Sequence, residues 1–254
     1  MAGSHGKFVW HELMTTDVKA AGAFYGKVFG WSVEGDGYAQ INTGGQSIGG
    51  IMELSKHLCD LGVRPHWGAY IEVDDVDSYA AKVEAAGGKV HKAPDDIPNT
   101  GRFAVVADPA GAHFMIFKGA TPDARVRPPM GTPGFFDWNE QYGGDPASSM
   151  KWYADLFGWT AADALDMGPV MGTYQIFHIA GVPSGGLMKK VPDMPMPMWL
   201  YYVAVDDIDA AQKRVTDNAG VSIFGPTEVP GGMWIVHALD PQQALFAMVG
   251  PKQK

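Results

Sequence analysis

The chain has 254 residues, 46% hydrophobic and 19% charged, with a formal net charge of −9. That length holds one large domain or two ordinary ones, and the composition is that of a globular rather than a disordered protein. No block of Lys or Arg interrupts the acidic balance. This argues against nucleic acid or an anionic membrane surface as partner, because both are bound through clustered positive charge. The single cysteine, Cys59, excludes an internal disulfide. No apolar run approaches the roughly 20 residues that span a bilayer. With no secretory signal visible at the start, a cytoplasmic location is expected.

In chain order, Phe8–Met14 is apolar and aromatic and predicts a strand. Thr16-Asp17 supplies a helix cap, since a side-chain oxygen can accept from the unpaired N–H groups of a first turn. Ala20, Ala21, Phe24, Val28 and Phe29 follow at helical spacing until Gly30 stops the helix. Tyr38–Ile41, Gln46–Ile48 and Ile51–Leu54 read as short strands separated by Gly-rich turns. The pattern then restarts with a strand over Trp67–Val73 and a cap at Asp74-Asp75. A helix through Val76, Tyr79, Ala80, Val83 and Ala86 ends at Gly87-Gly88, and strands follow at Lys89–Lys92, Arg102–Ala107 and Ala112–Phe117.

The second half repeats the first. Trp10, Glu12, Asp17, Phe24-Tyr25 and Phe29-Gly30-Trp31 recur 128 residues later as Trp138, Glu140, Asp145, Trp152-Tyr153 and Phe157-Gly158-Trp159. Farther along the offset is 132: Trp67, Val73-Asp74-Asp75 and Asp108-Pro109 recur as Trp199, Val205-Asp206-Asp207 and Asp240-Pro241. Self-similarity at this period marks tandem units. The expected division is a first domain over 1–120, a Pro- and Gly-rich linker over 121–133 and a second domain over 134–254. Each domain is β-α-β-β-β twice. One such unit has a sheet with a bare face, and two side by side make a cup suited to a small molecule.

These residues carry a resemblance. Asp17…Phe24-Tyr25…Phe29-Gly30-Trp31, Val73-Asp74-Asp75-Val76-Asp77 and the turn Asp108-Pro109-Ala110-Gly111, each with its copy, resemble the vicinal-oxygen-chelate superfamily of glyoxalases, bleomycin-resistance proteins and extradiol dioxygenases. The likeness covers nearly all of 8–118 and 135–249 and implies an α+β fold of tandem cup-shaped domains. It also implies, in metal-dependent members, four ligands: His or Gln on the first strand, Glu ending the first unit, His opening the second unit and Glu on the last strand. Carried over, these positions are Trp10, Glu53, Gly68 and Met115 in the first repeat, and Trp138, Lys189, Leu200 and Ala247 in the second. Only Glu53 matches, so the family's standard metal site is not expected here, and no cofactor is predicted.

Strand alternation supplies the other candidates. If Trp10 faces the hollow, so does Glu12, while His11 and Leu13 face the helices. His113 accompanies Met115, and His66 and Tyr70 accompany Gly68. Glu53, His113 and Glu12 are therefore the expected acid–base residues. Trp10, Tyr70, His66 and Met115 are the expected ligand-binding residues, with Trp138 and Glu140 in the second repeat. A plain structural role stands beside each: a buried Glu can serve as an acceptor for a loop, and Lys189 facing Glu140 would be an ion pair. Three functions remain open. The first is binding, or Glu/His acid–base conversion, of a small organic compound without the standard metal. The second is a lyase or dioxygenase using a divalent metal at a displaced site near Glu53, and the third is a non-catalytic interaction module. The oligomeric state is left open.

Overall fold

A computed structural model describes every residue except 1–3, 124, 193 and 254; residue 124, inside the expected linker, therefore lies outside the described residues. The first repeat runs β1 (Phe8–Thr15), α1 (Val18–Phe29), β2 (Ser32–Glu34), β3 (Tyr38–Thr43), β4 (Gln46–Glu53), the short α2 (Lys56–Asp60), β5 (His66–Glu72), α3 (Val76–Ala85), β6 (Lys89–Ile97), β7 (Gly101–Ala107) and β8 (His113–Gly119). The second runs β9 (Phe136–Gly143), α4 (Pro146–Phe157), β10 (Thr160–Asp166), the short α5 (Gly168–Met171), β11 (Thr173–Ile179), β12 (Val182–Lys189), β13 (Met198–Ala204), α6 (Ile208–Asp217), β14 (Val221–Val229), β15 (Met233–Leu239) and β16 (Leu245–Gly250). Each repeat supplies one mixed eight-stranded sheet, ordered β2-β3-β4-β1-β5-β8-β7-β6 and β10-β11-β12-β9-β13-β16-β15-β14. The fold is α+β, as the sequence predicts.

The recurring aspartates are caps. Asp17, Asp75, Asp145 and Asp207 each accept from the backbone N–H three residues on, at 2.7–2.9 Å. Helix α1 stops at Gly30, whose φ of 73° is left-handed backbone that costs glycine nothing.

The strands after α1 differ from expectation. Gly49-Gly50 is not a turn but the middle of the continuous strand β4, and the third strand is β2, tucked behind Gly30. A Cβ on Gly49 would run into the His11 backbone carbonyl, and one on Gly50 into the far end of the Tyr38 side chain. Gly185-Gly186 has the same place in β12.

By proximity the chain forms two compact units, and each takes elements from both repeats. One holds Trp10–Gly68, Arg125–Asp137 and Leu200–Lys254; the other holds Met1–Val9, Ala69–Ala124 and Trp138–Trp199. The core of the first is centred on Tyr25, which stacks against Phe29 and Trp31 and meets Trp67 and Phe246 edge-on. Its hydroxyl donates to Asp240 at 3.0 Å and accepts from the Trp67 indole at 2.9 Å. Asp240 is itself the first residue of the Asp-Pro turn, its other oxygen accepting from the N–H groups of Gln242 and Ala244. Trp67 thus points to the helix side.

The second unit is built alike around Tyr153. Tyr153 stacks on Trp159 at 4.8 Å, donates to Asp108 at 2.9 Å and accepts from Trp199 at 3.2 Å. Asp108 accepts from Ala110, Gly111 and Ala112 in its own turn, and also from Gln141 at 2.6 Å. The helix tyrosine of one repeat is therefore bonded to the Asp-Pro turn of the other, and this happens twice.

Candidate functional site

Three strands of the second unit build a polar cluster. In parallel register, Glu140 lies opposite Gly186 and Tyr142 opposite Met188, while antiparallel β11 puts Tyr174 opposite Met188. Residues paired in register share a sheet face, so Glu140, Tyr142 and Tyr174 stand together with Trp138. Trp138 donates its indole N–H to the Tyr174 hydroxyl at 2.7 Å, and Tyr142 donates to the Glu140 carboxylate at 2.5 Å. Tyr174 is also hydrogen-bonded to Glu140; burial first, and then the carboxylate charge, push its phenol well above the usual tyrosine range.

The first unit repeats the arrangement. Glu12 lies opposite Gly50 and Met14 opposite Met52, and Tyr38 also pairs with Met52. Trp10 donates to the Tyr38 hydroxyl at 2.8 Å, and Tyr38 is bonded to Glu12. Partial burial, followed by the Glu12 charge, raises the Tyr38 phenol above its usual range. Two differences separate the copies. Met14 stands where Tyr142 stands, and Tyr38 is 42% exposed whereas Tyr174 is half-buried. Glu12 and Glu140 are both buried. In each copy the aromatic ring lies across the bare backbone of Gly50 or Gly186, which explains the glycine at that step.

The other candidates fall elsewhere. Glu53 pairs in register with Thr15, not with Glu12. It therefore points to the opposite face from Trp10 and Glu12, at the exposed end of β4, and the expectation that it converges with Glu12 is corrected. The reason is the unbroken parity of β4 through Gly49-Gly50. Lys189 likewise pairs with Gly143, off the Glu140 face, and acts on Asp145 instead. His66 is exposed and its ring Nδ1 contacts the Arg64 carbonyl at 2.8 Å. Trp10, Glu12, Glu53 and His66 belong to the first unit, while Tyr70, His113, Met115, Trp138 and Glu140 belong to the second.

Within the second unit, Tyr70 pairs with Met115 and meets Phe103 and Phe117, an apolar wall. His113 is exposed at the start of β8, with its ring 4.4 Å from that of His91. Burial, then Lys89, lowers the His91 pKa.

Residue-by-residue reading overlooked Tyr38, Tyr142 and Tyr174. The signal was present: Tyr38 and Gly50 both recur 136 residues later as Tyr174 and Gly186. It also overlooked Tyr202 and His237 in the first unit. These lie 2.8 Å apart between hydroxyl and Nε2, with Phe224 packed against the imidazole. The counterparts of Tyr202 and His237 in the other repeat are Tyr70 and Val105, so a valine stands there in place of the imidazole.

The positions at which the family's metal ligands would stand do not fit a divalent ion. Trp10 and Trp138 present indole N–H groups already donated to tyrosines; Gly68, Leu200 and Ala247 carry no ligand atom, and Met115 offers only a soft thioether. Glu53 faces away from Trp10, and Lys189 repels a cation. Among the described residues no three His, Cys, Asp or Glu side chains are grouped closely enough to hold an ion. No helix of the described residues is long and apolar enough to cross a membrane.

Tandem mixed sheets, paired glycine steps and Asp-Pro turns define the chain as a member of the Glyoxalase/Bleomycin resistance protein/Dioxygenase superfamily, whose pattern matches residues 7–116 and again 136–248. Among individual relatives, it is 31% identical over 256 residues to the Mycobacterium bovis protein named "Putative glyoxylase CFP32", covering 95% of this chain and 94% of that one. It is 30% identical over 261 residues to the anthracycline biosynthesis protein DnrV of Streptomyces peucetius, covering 94% and 91%. Of solved structures, the Mn(II)-bound glyoxalase from Novosphingobium aromaticivorans superposes with a TM-score of 0.66 at 18% identity, covering 98% of this chain and 83% of that one. The 2,2',3-trihydroxybiphenyl 1,2-dioxygenase of Sphingomonas wittichii strain RW1 superposes with a TM-score of 0.69 at 13% identity, covering 98% and 91%. At such identities the likeness to the solved structures is one of fold.

Proposed function

We propose that this chain binds a small oxygen-bearing organic molecule at its Trp–Tyr–Glu clusters, without the superfamily's four-ligand metal group. The supporting observation is the duplication of one hydrogen-bonded constellation, Trp10–Tyr38–Glu12 and Trp138–Tyr174–Glu140. Both copies span the insertions that shift the repeat offset from 128 to 136 residues. Packing alone asks only for apolar bulk at such positions. A carboxylate, a phenol and an indole N–H held on one face instead offer an acceptor, a donor-acceptor and a flat apolar surface side by side. Together they can recognise a hydroxyl or carbonyl attached to a planar framework. The relatives' names, one a glyoxylase and one an anthracycline biosynthesis protein, agree with ligands of that kind.

The same constellation can move a proton. Glu12 is the carboxylate that takes a proton from the bound ligand, while the Tyr38 hydroxyl, its phenol held protonated by the neighbouring charge, donates a hydrogen bond to the ligand oxygen on which negative charge then develops. Glu12 is thus the proposed acid–base residue of the first repeat. Glu53, on the other face, and His113, in the other unit, have no part in this proposal.

The test is a thermal-shift and tryptophan-fluorescence screen of planar hydroxylated and carbonyl compounds against chelator-treated protein, since a ligand specific to the native state raises its melting temperature. Hits are expected to bind without metal and to weaken about tenfold in Tyr38→Phe or Glu12→Gln, the scale of one lost hydrogen bond to a charged group. Binding that appears only after Ni, Zn, Mn or Fe is added would refute the proposal.

A further inference from the structure

The helix sides of the two units are built alike but differ by one ring. In the second unit, Trp159 donates its indole N–H to the Gly6 carbonyl at 2.7 Å, and Gly6 donates to the Glu72 carbonyl at 2.8 Å. In the first unit, Trp31 donates to the Gly134 carbonyl at 2.7 Å, and Gly134 donates to the Ala204 carbonyl at 2.9 Å. Gly134 is thus the counterpart of Gly6, and Pro133 that of His5. At the 132-residue offset that relates α3 to α6, Ala211 and Arg214 are the counterparts of Tyr79 and Lys82.

The Tyr79 phenol is held on three sides in the second unit. Its ring stacks on Phe157 with centroids 6.2 Å apart, its hydroxyl lies 3.2 Å from His5 Nε2, and the Lys82 ammonium sits 4.0 Å from its ring centroid. In the first unit those three neighbours become Phe29, Pro133 and Arg214, and all three line one cavity of about 330 Å³. Phe157 is 2% exposed, whereas Phe29 is only half-buried. Arg214 is fixed by donation to the Val28 carbonyl at 2.8 Å and to Asp206 at 3.2 Å. Lys27 also lines the cavity, where the other copy has Asp155, so its cations outnumber the Asp206 carboxylate.

We propose that this cavity is a binding site for a small phenol, whose ring takes the place that Tyr79 has in the other unit. An aromatic ring gains from Phe29 by stacking and from Arg214 by the attraction of a cation to its π-electrons. The volume lies at the small end of organic-ligand pockets and suits a single ring. The positive lining disfavours an amine. None of Trp10, Glu12 and Tyr38 lines the cavity, so the site stands apart from the Trp–Tyr–Glu cluster and does not rest on the reading of that cluster.

The experiment titrates the full chain by calorimetry with p-cresol, the tyrosine side chain as a free molecule, and with 4-methylcyclohexanol, which has a similar outline without the π-electrons. p-Cresol is expected to bind about tenfold more tightly. Ala211→Tyr supplies the ring from within and should abolish p-cresol binding. Arg214→Gln should weaken it about threefold, the scale of one cation–π contact, and Glu12→Gln should leave it unchanged. Equal affinity for the two probes, no binding of p-cresol, or full affinity retained in a folded Ala211→Tyr protein overturns the proposal. Should Ala211→Tyr fail to fold, Arg214→Gln decides, and undiminished affinity there overturns it. Binding lost in Glu12→Gln but kept in Arg214→Gln also overturns it, placing the phenol at the cluster and leaving that reading standing.

Discussion

Adjacent glycines in β4 and β12 meet very different neighbours. A Cβ on Gly185 would strike the Asn139 carbonyl, part of the backbone of the paired strand. A Cβ on Gly186 would strike only the far end of the Tyr174 side chain, which can rotate away. The two alanine substitutions should therefore separate stability from site geometry. Gly185→Ala is expected to cost about 1–3 kcal/mol, the usual penalty of overpacking, measured by urea unfolding. Gly186→Ala should leave the unfolding midpoint nearly unchanged yet break the Trp138–Tyr174 hydrogen bond, read as altered tryptophan emission. Equal losses of stability in both would show that Tyr174 is rigidly held rather than laid over a bare strand.

Among elements, the helix tyrosines bear on stability most directly. Tyr25→Phe takes the hydroxyl donor from the buried Asp240 and the acceptor from the Trp67 indole. Tyr153→Phe does the same to Asp108 and Trp199, but Asp108 keeps its bond from Gln141. A buried polar group left unpaired costs about 1–3 kcal/mol, so Tyr25→Phe should be the more damaging substitution in chemical denaturation. Its cost should also grow with pH. Burial raises the Asp240 carboxyl above its ordinary value, and the Tyr25 hydrogen bond is one of the interactions pulling it back. With that bond removed the folded-state pKa rises further. Between the ordinary value of about 3.9 and the raised one, the folded state holds more protons than the unfolded state, so stability falls as pH rises through that window. A penalty independent of pH from the ordinary Asp range to neutrality would contradict this account.

Most of these elements could be read from the chain. Asp17, Asp75 and their copies announced helix starts, and Gly30 and Gly158 announced helix ends, because capping is local chemistry. Gly49-Gly50 misled because a glycine pair signals a turn when the neighbours that exclude a side chain lie on other strands. For the same reason Glu53 looked like a partner of Glu12: two residues on different strands share a face only by register, which depends on pairing that no single segment encodes. The Trp–Glu half of each cluster was legible from one strand, whereas its tyrosine, arriving from a neighbouring strand, was not.

At the level of the whole molecule, sheets and compact units partition the chain in different ways. Each repeat supplies one sheet, but each compact unit mixes both repeats. Residues 1–120 alone retain Tyr25 without Asp240 and Asp108 without Tyr153. A fragment of that length is expected to show no sharp melting transition as a monomer, and to regain one when co-expressed with residues 134–254. A monomeric fragment 1–120 that melts cooperatively would contradict this interdependence.

The crossed tyrosine–aspartate bonds also bear on how the two copies could change after the gene doubled. A helix tyrosine in one copy answers to a turn aspartate in the other, so neither partner could be altered alone without harm to both. Positions outside that bargain were at liberty to drift, and they did: Met14 against Tyr142 and Val105 against His237. Ancestry is thus preserved in the buried bonds, while whatever the copies came to do differently was written on their walls.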